Sequence, residues 1–475
     1  MVVALGCAIS GNVGAIGLGR DFPYVWQDPL LTRPPVLDHG AALPGDAASL
    51  ACASLTPDNQ SFKDPLALEG AVDMALCHNP QVKTAWAAIK VQAAALGETR
   101  AAYLPTLNAS VSQLHNATRY PDSNLSTVTN EGKTKYANLT WRLFDFGTRS
   151  ANLESANQLL SAALASHDAT LQKLLTSVVG AYFEAMTAQA TLKARTQAVE
   201  LATGTWQTTQ RREARGAAAV SDTLQAAAAL TKAKLALSRA QGDAQKTRSV
   251  LLYAMGLPLD MPWRLPEEHA ATAEANVDDL AQWLHEAQHK HPAIAAARAQ
   301  LAASKAKIQA VQAEGLPTLD YTQNHYQNGY PNQGLLPTSS KVNTAGFTLN
   351  MPLFEGFART YKVRGAQAQS EQSEAQLQDT ELQVLMEVVK AHADAQSSLE
   401  NLQASQQLLS ATEAAVQSSQ KRYDKGAADI LELLSTQSAL AEAQQERVRC
   451  LSDWRSARLR LMSSAGLLGR EGLSN

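Results

Sequence analysis

The chain has 475 residues, a formal net charge of −3 and a sequence pI near 6.4, so its charge gives no reason to expect nucleic acid as a partner. Only 5% of residues are aromatic, while alanine and glutamine abound. That composition suits long helices packed through small side chains better than one large globular core. No run of about 18 apolar residues occurs after the N-terminal stretch, which excludes an ordinary transmembrane helix but not a membrane barrel, whose strands alternate over roughly 10 residues.

Residues 1–60 read as a signal-like segment followed by an irregular extension. Met1 to Gly19 is apolar, glycine-rich and uncharged, with no basic start, and Ala4-Leu5-Gly6-Cys7 makes a poor lipoprotein site. Prolines and turn formers crowd Asp21 to Pro65. The four cysteines, Cys7, Cys52, Cys77 and Cys450, lack metal-type spacing. A Cys52–Cys77 bridge is left open, because pairing does not follow from spacing.

A first repeat spans residues 61–275. A helix begins near Leu66 and stops before Pro80, and a second runs to about Ala102. Strands are expected at Thr106 to Leu114 and Tyr136 to Phe144, around a polar loop at Thr118 to Lys133, giving a β-hairpin over 104–146. Asn138, Thr140 and Arg142 alternate with Leu139, Trp141 and Leu143, and Phe144 breaks the pattern. From Thr148 to Gln210 there is no proline, and Val178, Ala185, Leu192, Val199 and Trp206 recur every seven residues. That is the period of coiled-coil packing. A glycine turn follows at Gly216, then a return helix from Val220 to Ala254, and a linker with Pro258, Pro262 and Pro266.

The second repeat, residues 276–475, copies the first. Leu104-Pro105-Thr106-Leu107 recurs 212 positions later as Leu316-Pro317-Thr318-Leu319, and Asn79-Pro80 as His291-Pro292. Beyond the second hairpin (316–354) the offset is 210: Leu143-Phe144-Asp145 becomes Leu353-Phe354-Glu355, Arg149 becomes Arg359, and the tip at 211–222 becomes 421–432. Val388, Ala395, Leu402, Leu409 and Val416 repeat the heptads. A tandem duplication of one long helical hairpin joined to a β-hairpin accounts for the whole pattern.

Four strands per chain cannot close a barrel, and open edges cannot stand in a bilayer. Either several chains share one barrel or a soluble β-subdomain caps a coiled coil. The first reading turns Leu139, Trp141, Phe347, Leu349 and Met351 toward lipid. His285-Glu286-Ala287-Gln288-His289 is a formal H-E-x-x-H, which on a helix places two imidazoles and a glutamate for zinc chemistry. Pro292 follows at once, no third ligand is in reach, and the twin positions hold Asp73, Met74 and Cys77. A metal site, a catalytic site and a cofactor are therefore not expected.

The ordered duplicate set (the Asn/His-Pro break, Leu-Pro-Thr-Leu, Leu-Phe-Asp/Glu and the Arg/Lys…Gly tip) resembles the TolC family of outer-membrane channel proteins over about residues 61–468. The resemblance implies a mainly α protein with a membrane β-barrel portion: a homotrimer whose twelve strands form one barrel in outer-membrane lipid, above a periplasmic helical tunnel. It implies a periplasmic adaptor and an inner-membrane ABC transporter docking at the closed end, near Arg215, Gly216, Asp222, Lys425 and Gly426. In the family a tyrosine and acidic rings close that end. Tyr423 and Glu432 match the tyrosine and the first acidic position, with Asp429 close by, whereas Ala428 and Ser435 stand where an arginine and a second aspartate would be. The closing network should therefore be built differently here. The branch resembled most serves type I secretion of a cyclolysin-like RTX protein toxin. Small-molecule efflux remains the alternative, and a soluble coiled-coil scaffold the other class.

Overall fold

The computed structural model of the chain describes residues 65–119, 121, 127–266, 279–328 and 340–468. The signal-like stretch, the extension and Cys52 lie outside the described residues. Cys77 is disulfide-bonded, and Cys450 is free and buried.

Twelve described elements follow one another: α1 (Leu68–His78), α2 (Pro80–Ala101), β1 (Thr106–Thr118), β2 (Val128–Phe144), α3 (Thr148–Ala214), α4 (Val220–Met255), α5 (Leu280–Lys290), α6 (Pro292–Ala313), β3 (Thr318–Asn328), β4 (Ser340–Asn350), α7 (Ala358–Asp424) and α8 (Ile430–Ser464). The protein is mainly helical with a single four-stranded sheet among the described residues, antiparallel throughout, in the order β1-β2-β3-β4. Helices α3 and α7 have 67 residues each, which at ~1.5 Å per residue makes each on the order of 100 Å long. The strands sit at one end of these helices and the glycine turns at the other.

The two helix breaks are built alike, because proline cannot continue the hydrogen-bond ladder and its preceding residue must be extended. Asn79 caps α2 by accepting from the Gln81 amide at 2.8 Å and donates to the Ala254 carbonyl at 2.9 Å. His291 caps α6 through Nδ1, which accepts from the Ala293 amide at 3.2 Å. Against each break lies the left-handed glycine that ends the return helix: Gly256 (φ 73°) beside Asn79, and Gly466 (φ 74°) beside His291. A Cβ on Gly256 would stand 2.8 Å from the Asn79 Cα.

Two cores surround these breaks. In one, Val178, Leu175, Leu251 and Met255 close over α1. In the other, Val388, Trp454, Leu461 and Ile294 do the same around α5. The heptad twins Val178 and Val388 are both fully buried. Each such aliphatic side chain contributes roughly 1.5–3 kcal/mol of burial. The halves interlock: Ser155 on α3 donates to the Ala303 carbonyl on α6, and Gln172 on α3 donates to the Leu468 carbonyl past α8.

Strand β2 begins at Val128, inside the segment expected to be loop. Residues 128–135 are polar on one face (Thr129, Glu131, Lys133 and Lys135) and mixed on the other, so no apolar alternation announces them, yet they pair with β1 throughout. The break in alternation at Phe144 coincides with a register shift between Arg142 and Phe144, the position of a bulge. Strand β4 ends at Asn350, so Met351 follows the strand rather than belonging to it.

Candidate functional site

Register decides which side chains share a face, since partners across an antiparallel ladder point the same way. Leu107 pairs with Leu139, Trp141 with Tyr321, Tyr321 with Phe347, and Leu319 with Leu349. These residues make one apolar face. Phe347 and Leu349 are 70% and 60% exposed, and a single chain offers nothing to cover them. The opposite face is polar: Thr140 pairs with Thr322, Asn138 with Asn324, and Arg142 with Asp320. Its groups satisfy one another, as Tyr136 and Asn138 both donate to Asn324 Oδ1 (2.9 and 2.6 Å), and Arg142 Nε donates to Asp320 at 2.9 Å.

Where the sheet enters the long helices, the chain bends through two consecutive left-handed residues in each repeat. These are Phe146 (φ 50°) and Gly147 (φ 97°) in the first, Gly356 (φ 59°) and Phe357 (φ 65°) in the second. An arginine fixes each bend. Arg149 donates to Asp145 at 3.0 Å and to the Arg142 and Leu143 carbonyls, and Arg359 donates to the Gly315 carbonyl at 2.6 Å. Phe144, Phe146, Phe354 and Phe357 are left exposed around this junction.

At the other end the two tips meet. Gly216 (φ 70°) and Gly426 (φ 74°) turn the chain after Arg215 and Lys425, the C-caps of α3 and α7. Asp222 accepts from the Ala219 amide at 3.4 Å at the start of α4, while Asp429 occupies the N-cap of α8 with no side-chain capping bond. Tyr423 is 6% exposed and packs on Ile430 and Leu433. The Arg212 guanidinium lies 4.5 Å from its ring centroid and donates to the Tyr423 and Asp424 carbonyls, both at 3.2 Å. Among the described residues the Tyr423 hydroxyl has no hydrogen-bond partner within the chain. Glu432 is bound by Arg422 at 2.8 Å. Arg212 and Arg422, members of the duplicated basic pair before each tip, therefore carry the contacts, and sequence reading gave them no role. The signal available was the pair itself, Arg211-Arg212 against Lys421-Arg422.

The H-E-x-x-H stretch lies on α5. His289 Nδ1 bonds the His285 carbonyl at 2.8 Å, and Glu286 is held by Lys290 at 2.6 Å. That ammonium, by hydrogen bond and charge, keeps the Glu286 carboxyl below its usual range. No group of three or more His, Cys, Asp or Glu side chains suited to a metal occurs among the described residues. No described helix is long and apolar enough to cross a membrane.

The chain is 35% identical to Protein CyaE of Bordetella pertussis over 446 residues, covering 93% of this chain and 91% of that one. It is 24% identical to the alkaline protease secretion protein AprF of Pseudomonas aeruginosa, over 64% of this chain and 63% of that one. Among solved structures, the outer-membrane channel OprN superposes with a TM-score of 0.75 at 21% identity, covering 92% of this chain and 99% of the other. The outer membrane efflux protein family matches residues 71–257 and 283–467, most of both duplicated halves, and the chain belongs to that family.

Proposed function

We propose that the chain is the outer-membrane channel of a three-part exporter and that it serves secretion of a protein. The observation that carries the channel reading is the sheet: it has one apolar face, one polar face and two unpaired edges, β1 and β4. Edges left open in hydrocarbon are prohibitively costly, so the sheet must be closed by copies of itself. Three chains supply twelve strands, with the polar face lining a wet lumen and Leu139, Trp141, Phe347 and Leu349 facing lipid, as in transmembrane barrels. Met351 continues that surface just past β4. The exposed phenylalanines at the sheet–helix junction form the aromatic girdle on the helical side. Helices on the order of 100 Å then reach across the periplasm, and the paired tips meet an adaptor and an inner-membrane transporter. Conduction needs no cofactor and no catalytic residue.

Protein secretion is favoured over small-molecule efflux by similarity to AprF, an alkaline protease secretion protein. The family description, outer membrane efflux protein, keeps efflux as the second reading. A chromosomal deletion separates them: the secreted-protein profile should lose one or a few large species, restored by the intact gene, with drug susceptibility unchanged. Hypersensitivity to small toxicants with an intact secreted profile would favour efflux. The lipid face has its own test. Single cysteines at Leu139 and Phe347 should react with a membrane-partitioning reagent, and cysteines at Asn138 and Thr348 should not. Equal reaction of both sets would overturn the orientation.

A further inference from the structure

We propose that the outward face of the sheet carries a binding site for the phosphate-bearing headgroup of a lipid in the outer leaflet, built on Lys135 and Lys341 with Lys133 beside them. The proposal rests on the apolar face being the lipid-facing one. Lys135 and Lys341 both pair with Gln327, from opposite sides. They therefore point the same way, two strands or about 10 Å apart, on the face that carries Leu139 and Phe347. Lys133, two residues further along β2, shares that face.

Their height follows from the register. Between the Leu319–Leu349 pair and the lysine row lie three further rows, headed by Phe347, Ala345 and Asn343. Rows two residues apart are about 6.7 Å along the strand, or about 5 Å in height for a strand tilted about 40°. From Leu353, two steps below Leu349, to the His325–Asn343 row is five such steps, about 25 Å, the height of a barrel's apolar band, and the lysine row stands one step above it. The lysines thus stand where hydrocarbon gives way to the outer headgroups. Tilt offsets Lys135 and Lys341 in height by about 6 Å, which two flexible lysine stems can span.

Charge is the second observation. All three lysines are exposed, and none makes an ion pair among the described residues. The nearby acid on that face, Glu131, is taken by His115 at 3.0 Å. At the opposite rim, by contrast, Arg149 is tied to Asp145 and Arg359 to the Gly315 carbonyl. Among the described residues of the two rims, the outer one leaves ammonium groups without an ion pair, six from the Lys135 and Lys341 positions in a trimer, facing a surface that phosphorylated lipids make negative.

The test uses the assembled full-length protein in vesicles of phosphatidylcholine containing a minority of phosphatidylglycerol. Lipid retained after detergent extraction is quantified by mass. The wild type should retain phosphatidylglycerol preferentially. Lys135→Gln with Lys341→Gln should reduce that preference on the order of tenfold, and Lys305→Gln on α6 should not change it. Excess inorganic phosphate should not compete, and competition would assign the site to free phosphate instead. In the same vesicles a Leu139→Cys variant is exposed to the membrane-partitioning reagent. If it reacts and the lysine variants keep the preference, the headgroup site is wrong while the lipid face stands. If it does not react, both fail.

Discussion

The side chain that joins the two tips is Arg212, and it does so through three contacts at once. Its guanidinium covers the Tyr423 ring and donates to two carbonyls at the C-terminal end of α7, where a cation also meets the negative end of the helix dipole. A desolvated cation–π contact is worth up to about 2 kcal/mol and each charge-assisted hydrogen bond about 1.5–3 kcal/mol before solvent exposure weakens them. Arg212→Ala should therefore loosen the contact between the two tips and raise resting conductance in planar bilayers severalfold. Tyr423→Phe, which keeps the ring under the guanidinium, should change conductance little. A large opening in Tyr423→Phe alone would instead assign the closure to its hydroxyl, reaching outside its own chain. The glycines discriminate in the same manner. Gly216 has φ 70° and open space around its Cβ position, whereas Gly256 has φ 73° and backbone at 2.8 Å. Gly216→Ala should cost only the left-handed penalty, about 1–2 kcal/mol. Gly256→Ala adds a backbone clash at the core and should lower the denaturation midpoint of the assembled protein by clearly more.

Among elements, the helix breaks show one solution reached with two different residues. Asn79 caps α2 at any pH, but His291 caps α6 only with Nδ1 unprotonated. Burial pushes the His291 imidazole from 6.5 down to about 4. A depressed histidine binds fewer protons folded than unfolded, so its stabilisation is complete above pH 6.5 and is lost as pH falls toward 4. The loss is on the order of 2–3 kcal/mol per chain. His291→Asn, the residue its twin uses, should keep the cap and remove that portion of the acid sensitivity, read as the difference between the two unfolding profiles from pH 7 to 4. Identical profiles would mean the imidazole is not buried in the assembly. The elements themselves were largely legible in the sequence. Absence of proline, heptad spacing and the duplicated X-Pro and glycine turns are local signals; they set α4 and α8 to within a residue and the start of α3, while the end of α3 lies four residues past the expected Gln210. The start of β2 was not legible, because strand residues beyond the apolar band carry no alternation. Nor were the tip contacts, since Arg212 and Tyr423 lie 211 positions apart and meet only when both hairpins have folded side by side.

For the whole molecule, the proposed trimer turns every tip residue into a set of three, so a single ion pair becomes a statement about permeation. The resemblance gives Glu432 an acidic ring position. Within the chain its carboxylate is bound by Arg422 at 2.8 Å, with both side chains partly exposed. Three such pairs around a narrow passage nearly cancel, and selectivity then depends on which partner stands closer to the axis. Removing one member uncovers the other. Glu432→Ala leaves three guanidinium groups and should shift reversal potentials toward anions and abolish block by multivalent cations. Arg422→Ala leaves three carboxylates and should strengthen cation preference and that block. The double variant should return close to the wild-type selectivity, because it removes equal and opposite charge. These opposite signs separate a charge effect from a loosened tip, which would raise conductance in both single variants without reversing selectivity. Selectivity unmoved in all three variants would place the constriction away from α8, and the corresponding first turn of α4, at Asp222, would be the next ring to neutralise.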